Sequence, residues 1–263
     1  FGSALRDVGA GFDVHLALGK APNLRGHIAS RVGLISPRGQ RVPQKTAQRY
    51  DAVAMQAPSN RSLLEAGTQA VLLPPPVSAL PGPEAPTVPL PTDFALTVFN
   101  PYGDVKGTDG VAQVAAALPF PLVWCHSGRT APVDMPPELR GHPRVIHVDD
   151  PTPSELRWMY ERAQAYIAFS RSEGFGWSIA DALHYSQRVV SRPVGILSFE
   201  DLQLLDGIGV YEDWAEASDV VRELQPGRAP RVVDMVSPEG FSDRLRRAAE
   251  DASSLRGDPA RGL

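Results

Sequence analysis

"AYIAFSRSEGFGWSIADALHYSQRVVS", residues 165–191, decides the fold. It opens on a short apolar run, 165–170, of the kind that is buried on both faces of a sheet. A polar, glycine-flanked loop follows, and then a segment with the 3.6-residue period of a helix, in which Ile179, Ala182, Leu183 and Ser186 share one face. Asp181 lies off that stripe, toward water or a crevice. A second apolar run, "RVVS" (188–191), ends the stretch. Strand, loop, helix, strand in so few residues is one βαβ unit, and such units build parallel sheets.

The same rhythm extends outward on both sides. Upstream, "FALTVFN" (94–100), "PLVWCH" (121–126) and "RVIHV" (144–148) read as strands. Between them lie helices at 107–118, with Thr108 or Asp109 as its cap, and at 151–163, starting near Pro153 or Ser154. Downstream, "IGVY" (208–211) is a further strand. The chain then ends in an amphipathic helix with Phe241, Leu245, Ala248, Ala252 and Leu255 on one side. This half is expected to be an α/β domain with a parallel sheet and helices on both faces.

Proline marks the boundary. Of 26 prolines, eight fall in "PPPVSALPGPEAPTVPLP", residues 74–91. Proline lacks the N–H and fixes φ, so this run is neither helix nor central strand and reads as a stiff extended connector. Before it, 13–18, 31–36, 51–57 and 70–74 read as strands, and 60–67 as a short helix ending at Gly67. The expected organisation is a reduced N-terminal domain over 1–80, a linker over 81–93, and a larger domain over 94–263 that includes the terminal helix.

Composition bounds the function. The chain has 263 residues, 43% hydrophobic and 21% charged, with net charge −4. That is an ordinary globular composition without the basic field of a nucleic-acid binder. The single cysteine, Cys125, excludes an internal disulfide and a cysteine zinc cage, and a cytoplasmic location is the default expectation. No apolar run reaches membrane-span length, and nothing in the sequence supports a peripheral membrane contact. "GAGFDV" (9–14) is a poor dinucleotide fingerprint, and no phosphate-binding P-loop or G-x-S-x-G elbow occurs. Asp149 and Asp150 have no partners at metal-ligand spacing.

Two loops carry chemistry. In parallel sheets ligands bind beyond the carboxyl ends of the strands. In the loop after 165–170, Gly174 and Gly176 let the backbone approach a ligand, and the following helix start offers N–H groups and partial positive charge to a phosphate or diphosphate. Glu173 would repel phosphate but can accept hydrogen bonds from sugar hydroxyls. Taken alone it also reads as a carboxylate at a helix start, worth about 0.3–1 kcal/mol. In the loop "NPYGDVKGTDG" (100–110), Lys106 stands just before a helix, placed to meet a diphosphate or simply to be solvated.

In order, Lys106-Gly107, "VIHVDDPTPSELRWMYERAQAYIAFS", "SEGFGWSIADAL" and "RVVSRPVG" resemble the nucleotide-sugar half of the family 4 glycosyltransferases, which retain anomeric configuration and have the GT-B fold. The likeness covers about residues 94–225, with a weaker one in 51–80. It implies two Rossmann-like domains, the N-terminal one reduced or truncated. It implies that Glu173 touches the donor sugar and that Gly174, Phe175 and Gly176 hold the diphosphate. Lys106 would neutralise the leaving phosphate, and Asp181 would bind the ribose. The implied reaction is metal-independent transfer from a nucleotide-diphosphate sugar to a saccharide, lipid or protein acceptor, with no cofactor beyond the donor.

The sequence departs from the family in three ways. Asp181 replaces the usual Glu. Pro101 stands where a phosphate-binding arginine is usual, and His126 and Arg129 are the nearest replacements for its charge. Thirdly, the family's first strand and glycine-rich loop precede a helix like "FGSALRDVG", where this chain begins, so a trimmed chain is expected, and His15 and His27 have no assigned role. The leading expectation is a glycosyltransferase; the alternative is a non-catalytic nucleotide-sugar-binding or scaffold protein descended from one.

Overall fold

The computed structural model describes residues 3–5, 13–18, 31–36, 44–47, 52–101, 104–126, 139, 141–231 and 233–256. The chain forms two compact units, Phe1–Pro76 with Glu173–Phe175 and Asp234–Leu263, and Val77–Ser172 with Gly176–Val233.

The first unit is built on a five-stranded sheet of β1 (Ser3–Leu5), β2 (Asp13–Leu18), β3 (Arg31–Ser36), β4 (Ala52–Met55) and β5 (Ala70–Leu72), in that order. A short helix, α1 (Gln44–Ala47), lies between β3 and β4. β1 runs antiparallel to β2, and the other pairs are parallel. The stretch compared above with a helix, "FGSALRDVG", therefore contributes an edge strand instead, with Ser3 opposite Leu16 and Leu5 opposite Val14. The expected helix at 60–67 is instead a 3-10 turn over Pro58–Leu63.

The second unit carries a six-stranded, fully parallel sheet. Its strands are β6 (Ala95–Val98), β7 (Leu122–His126), β8 (Val145–Asp149), β9 (Ala165–Ile167), β10 (Val189–Ser191) and β11 (Ile208–Val210). The spatial order is β11-β10-β9-β6-β7-β8. The helices are α2 (Thr108–Ala117), α3 (Pro153–Arg162), α4 (Trp177–Tyr185), α5 (Glu200–Gln203) and α6 (Trp214–Glu223). The central strands are mostly apolar and buried. Trp124, Leu122, Ile167 and Phe169 are buried with Val111, Val114 and Leu118 of the α2 segment and with Ala217 and Val221 of α6. Two large polar side chains of this core are paired: the Trp124 indole donates to the Phe99 carbonyl at 2.9 Å, and the Tyr211 hydroxyl to the Ala168 carbonyl at 2.6 Å. α3 starts with a capping box in which Thr152 and Glu155 bond reciprocally. α2 has no side-chain cap: Gly107, not Thr108 or Asp109, takes the cap position, in the left-handed region.

The proline-rich segment is not a free connector. Residues from Val77 onward belong to the second unit, strapped along α3 and α4. The Tyr185 hydroxyl accepts from the Leu80 N–H at 2.6 Å, and Arg157 donates to the Leu80 and Pro81 carbonyls, both at 3.2 Å. Glu84 N–H donates to the Ser154 carbonyl and Thr87 N–H to the Glu155 carboxylate, both at 3.2 Å. Proline removes N–H groups from this segment, and Arg157 Nη1 meets two of its carbonyls.

After α7 (Val233–Val236) the chain ends its described part in α8 (Phe241–Arg256). The terminal helix was expected in the C-terminal domain. It instead completes the first unit, where Leu245, Ala248, Ala249 and Ala252 are buried with Ala52, Ala54, Val71 and Leu73 of the β4 and β5 segments. The physical reason is size: alanines on both faces let helix and sheet approach closely without voids.

Candidate functional site

In the second sheet, β6 leads to β7 on one side and β9 leads to β10 on the other, so the strand order reverses between β6 and β9. The crevice at that switch point, beyond the carboxyl ends, is where such sheets bind ligands. The loop after β6 carries Lys106. The loop after β9 leads through Glu173 to α4.

The β6 and β9 loops are fastened to each other. Arg171 donates its backbone N–H to the Val105 carbonyl at 2.8 Å and its guanidinium to the Asp104 carbonyl at 2.6 Å. The guanidinium also pairs with Asp109 in the first turn of α2 and holds that carboxyl below the usual carboxylate range. Gly107 makes the approach possible. Its φ is +63°, and a Cβ there would stand 2.1 Å from the Phe169 carbonyl oxygen. Lys106, half-buried at the end of a short 3-10 turn, is thereby fixed one residue from the contact with β9.

α4 begins at Trp177 with Gly176 as its cap at φ +83°, and no side chain caps it. The partial positive charge of its first turn is thus not offset by a capping carboxylate. Gly174, Phe175 and Gly176 are buried and Glu173 is half-buried. One side chain absent from the sequence reading governs this loop. Asn60, fully buried at 0% exposure in the 3-10 turn after β4, donates its Nδ2 to the Glu173 carbonyl at 3.1 Å and to the Gly174 carbonyl at 2.8 Å. Its Oδ1 accepts the Gln56 N–H at 3.1 Å.

Asp181 lies off the buried stripe of its helix, as expected, but is not fully exposed. It is half-buried in α4, and burial pushes its carboxyl up to about 6. The buried Tyr160 feels its charge; that tyrosine donates to the Ser178 carbonyl at 3.1 Å, and Tyr166 donates to the Ser178 hydroxyl at 2.9 Å.

His126 ends β7, and its Nδ1 lies 3.4 Å from Asp149 Oδ1, an ion-pair distance without hydrogen-bond geometry. Its ring lies 5.9 Å from that of His147. Burial lowers the His147 value, against the Leu139 carbonyl, which raises it. His126 also lines a pocket of about 520 Å³, with Phe99, Asn100, Cys125, Asp150 and Thr152, across the carboxyl ends of β6, β7 and β8. Arg129 and His27 lie outside the described residues, as does the side chain of His15. Among the described residues, no group of three or more His, Cys, Asp or Glu side chains could hold a metal ion. Also among them, no helix is long and apolar enough to cross a membrane.

Asn60 and Arg171 were missed by sequence reasoning. "QAPSNRS" offered one signal for the first, a helix-start pattern at a strand's carboxyl end. Arg171 sits within the loop already singled out, but nothing local distinguishes it from a solvated arginine.

No family model matches the chain, and no curated protein does. Solved structures do match. AviGT4, a glycosyltransferase involved in avilamycin A biosynthesis, is similar at 16% identity and a TM-score of 0.57, over 86% of this chain and 69% of that one. Sucrose-phosphate synthase from Thermosynechococcus elongatus is similar at 15% identity and 0.56, over 86% of this chain and 63% of that one. A TarM variant from S. aureus, solved with UDP, fondaparinux and α-GlcNAc-glycerol, is similar at 13% identity and 0.50, over 87% of this chain and 50% of that one. The chain thus spans about half to two thirds of these proteins' lengths. With two α/β units on largely parallel sheets, it has a fold resembling that of the GT-B glycosyltransferases.

Proposed function

We propose that the protein is a glycosyltransferase that takes its sugar from a nucleotide-diphosphate donor and transfers it with retention of anomeric configuration. The observation that carries this reading is the fastening of the Lys106 loop to the β9 loop at the switch point, with the uncapped α4 start close behind in the chain. Likeness to the family 4 motifs supports retention and the residue roles.

As the bond from the sugar to the diphosphate lengthens, positive charge develops on the sugar ring and negative charge on the departing phosphate. Lys106 and the N-terminal turn of α4 meet that negative charge more strongly in the transition state than in the ground state. A side chain and a helix end held before the donor arrives need little reorganisation at the moment of reaction. Glu173 accepts hydrogen bonds from the sugar's hydroxyls. Asp181, ionised above pH 6, accepts from the ribose, and the 520 Å³ pocket takes the nucleoside end. No step in this scheme passes through a metal, so turnover should persist in EDTA.

Pro101 favours a second reading. A proline there cannot supply the charge that the family's arginine gives, which suits a protein that binds a nucleotide sugar without turning it over. Incubation with a panel of UDP-, GDP- and ADP-sugars, with and without acceptors, separates the two. The enzyme reading expects release of nucleoside diphosphate, reduced at least 100-fold in Glu173→Ala, with the α-linked or β-linked donor giving a product of the same configuration. Binding without release across the panel would establish the second reading.

A further inference from the structure

We infer that Asn60 is a positioning residue for the donor diphosphate, acting through the Glu173-Gly174-Phe175 loop. The inference rests on the donor-site reading above and adds to it a residue remote in sequence from every motif.

Asn60 uses both ends of its carboxamide. Oδ1 accepts from the Gln56 N–H at 3.1 Å, which fixes the side chain to the backbone that leaves β4. The two hydrogens of Nδ2 go to two successive carbonyls, those of Glu173 and Gly174, at 3.1 and 2.8 Å. An amide is the side chain that offers both an acceptor and two donors on one small planar group. Asn60 and residues 173–175 belong to the same compact unit, Asn60 is wholly buried, and its bond to the Gly174 carbonyl is shielded from water.

Holding the two carbonyls fixes two peptide planes. In a trans peptide the C=O and the following N–H point in opposite directions. Drawing the Glu173 carbonyl to Asn60 therefore turns the Gly174 N–H away from Asn60. The second bond orients the next peptide unit in the same way. Gly174 has no side chain to stand in front of its own amide. The loop thus enters α4 with its peptide units set in advance, and an amide pointed at a phosphate oxygen stabilises it only if held at that orientation. Fixing these planes also fixes the direction in which the Glu173 side chain leaves the backbone.

The sharpest variant is Asn60→Asp, which keeps the shape but puts an acceptor opposite two carbonyl oxygens. Affinities are measured by calorimetry for UDP, GDP and ADP and for uridine, guanosine and adenosine, and melting confirms that the variant is folded. The expected result is a diphosphate affinity lowered about tenfold or more, with the affinity for the corresponding nucleoside unchanged. A merely structural role would lower both together or neither. Asn60→Ser, which can still donate one hydrogen bond, should fall between Asn60→Asp and the wild type. If neither variant folds, hydrogen exchange in the wild-type protein replaces them: the Gly174 amide should gain protection with the diphosphate and not with the nucleoside. Equal losses for diphosphate and nucleoside, or no change at Gly174, overturn the inference alone. A wild-type protein that binds none of the three diphosphates overturns the donor reading and this inference with it.

Discussion

Asp181 carries a carboxyl group that the fold holds partly out of water. Burial raises its carboxyl from 3.8 to about 6. The folded state therefore disfavours the charged form. The group's contribution to stability is fully present below about pH 4 and is lost as pH rises through about 6. At neutral pH the folded protein carries a desolvated carboxylate, a strain of the kind that binding sites retain for a ligand. Asp181→Asn removes that charge. Its stability relative to wild type should rise by about 1–3 kcal/mol at pH 8 and show little gain at pH 4. Melting temperatures across that range check this, and an equal difference at both ends would contradict the cause assigned. The cluster of Asn60, Glu173 and Gly174 shows why part of the site was invisible in the sequence. Its hydrogen bonds join residues 113 and 114 positions apart, and no local pattern encodes a partner so distant. Glu173, Gly174, Gly176 and Lys106 stand out in the sequence because their reasons are local: flexible backbone, a helix start and a strand end, and the structure does place them in the loops that follow β9 and β6.

At the scale of the element, the decisive feature is the contact between the β6 and β9 loops. Gly107→Ala places a methyl group against the Phe169 backbone carbonyl, at 2.1 Å, and the Trp214 ring, at 2.8 Å, in a backbone region with φ +63°. A backbone carbonyl cannot turn aside as a flexible side chain can. The substitution should cost about 2–4 kcal/mol in urea unfolding. Gly82→Ala, with nothing within 4 Å, should cost little and serves as the comparison. Equal costs would mean that the loops are not held as described. The six strands of this sheet were readable because each is a short, mostly apolar run, and all but the edge strand β8 are largely buried. The helix caps were less so: Thr152 was expected as neither cap nor box, yet it forms both, while the expected Thr108 and Asp109 caps yield to Gly107. Where a strand must turn sharply beside another loop, close approach overrides the usual side-chain cap.

Each unit, taken as a whole, has its own sheet and its own core, and the chain enters the first unit three times. The last entry, α8, explains the misplaced boundary. An amphipathic stripe says that one face is buried and does not say against what. The partner was settled by matching small residues, alanines of α8 against alanines of β4. Ala249→Asp, at a position 1% exposed, would bury a charge without a partner and should destabilise by roughly 3 kcal/mol or more. Arg247→Ala, on the exposed side of the same helix, should be near neutral. Unfolding curves for the two variants test the assignment, and comparable behaviour would place α8 elsewhere.

In the proposed function the β6–β9 crevice holds a nucleoside diphosphate with Lys106 against its phosphates. Calorimetric titration of UDP, GDP and ADP into the wild-type protein and Lys106→Ala tests it most directly. At least one of the three should bind the wild type, and its affinity for the variant should be about tenfold weaker or worse, a loss of ~1.4 kcal/mol. No binding of any of the three, or binding that Lys106→Ala leaves unchanged, would contradict the account.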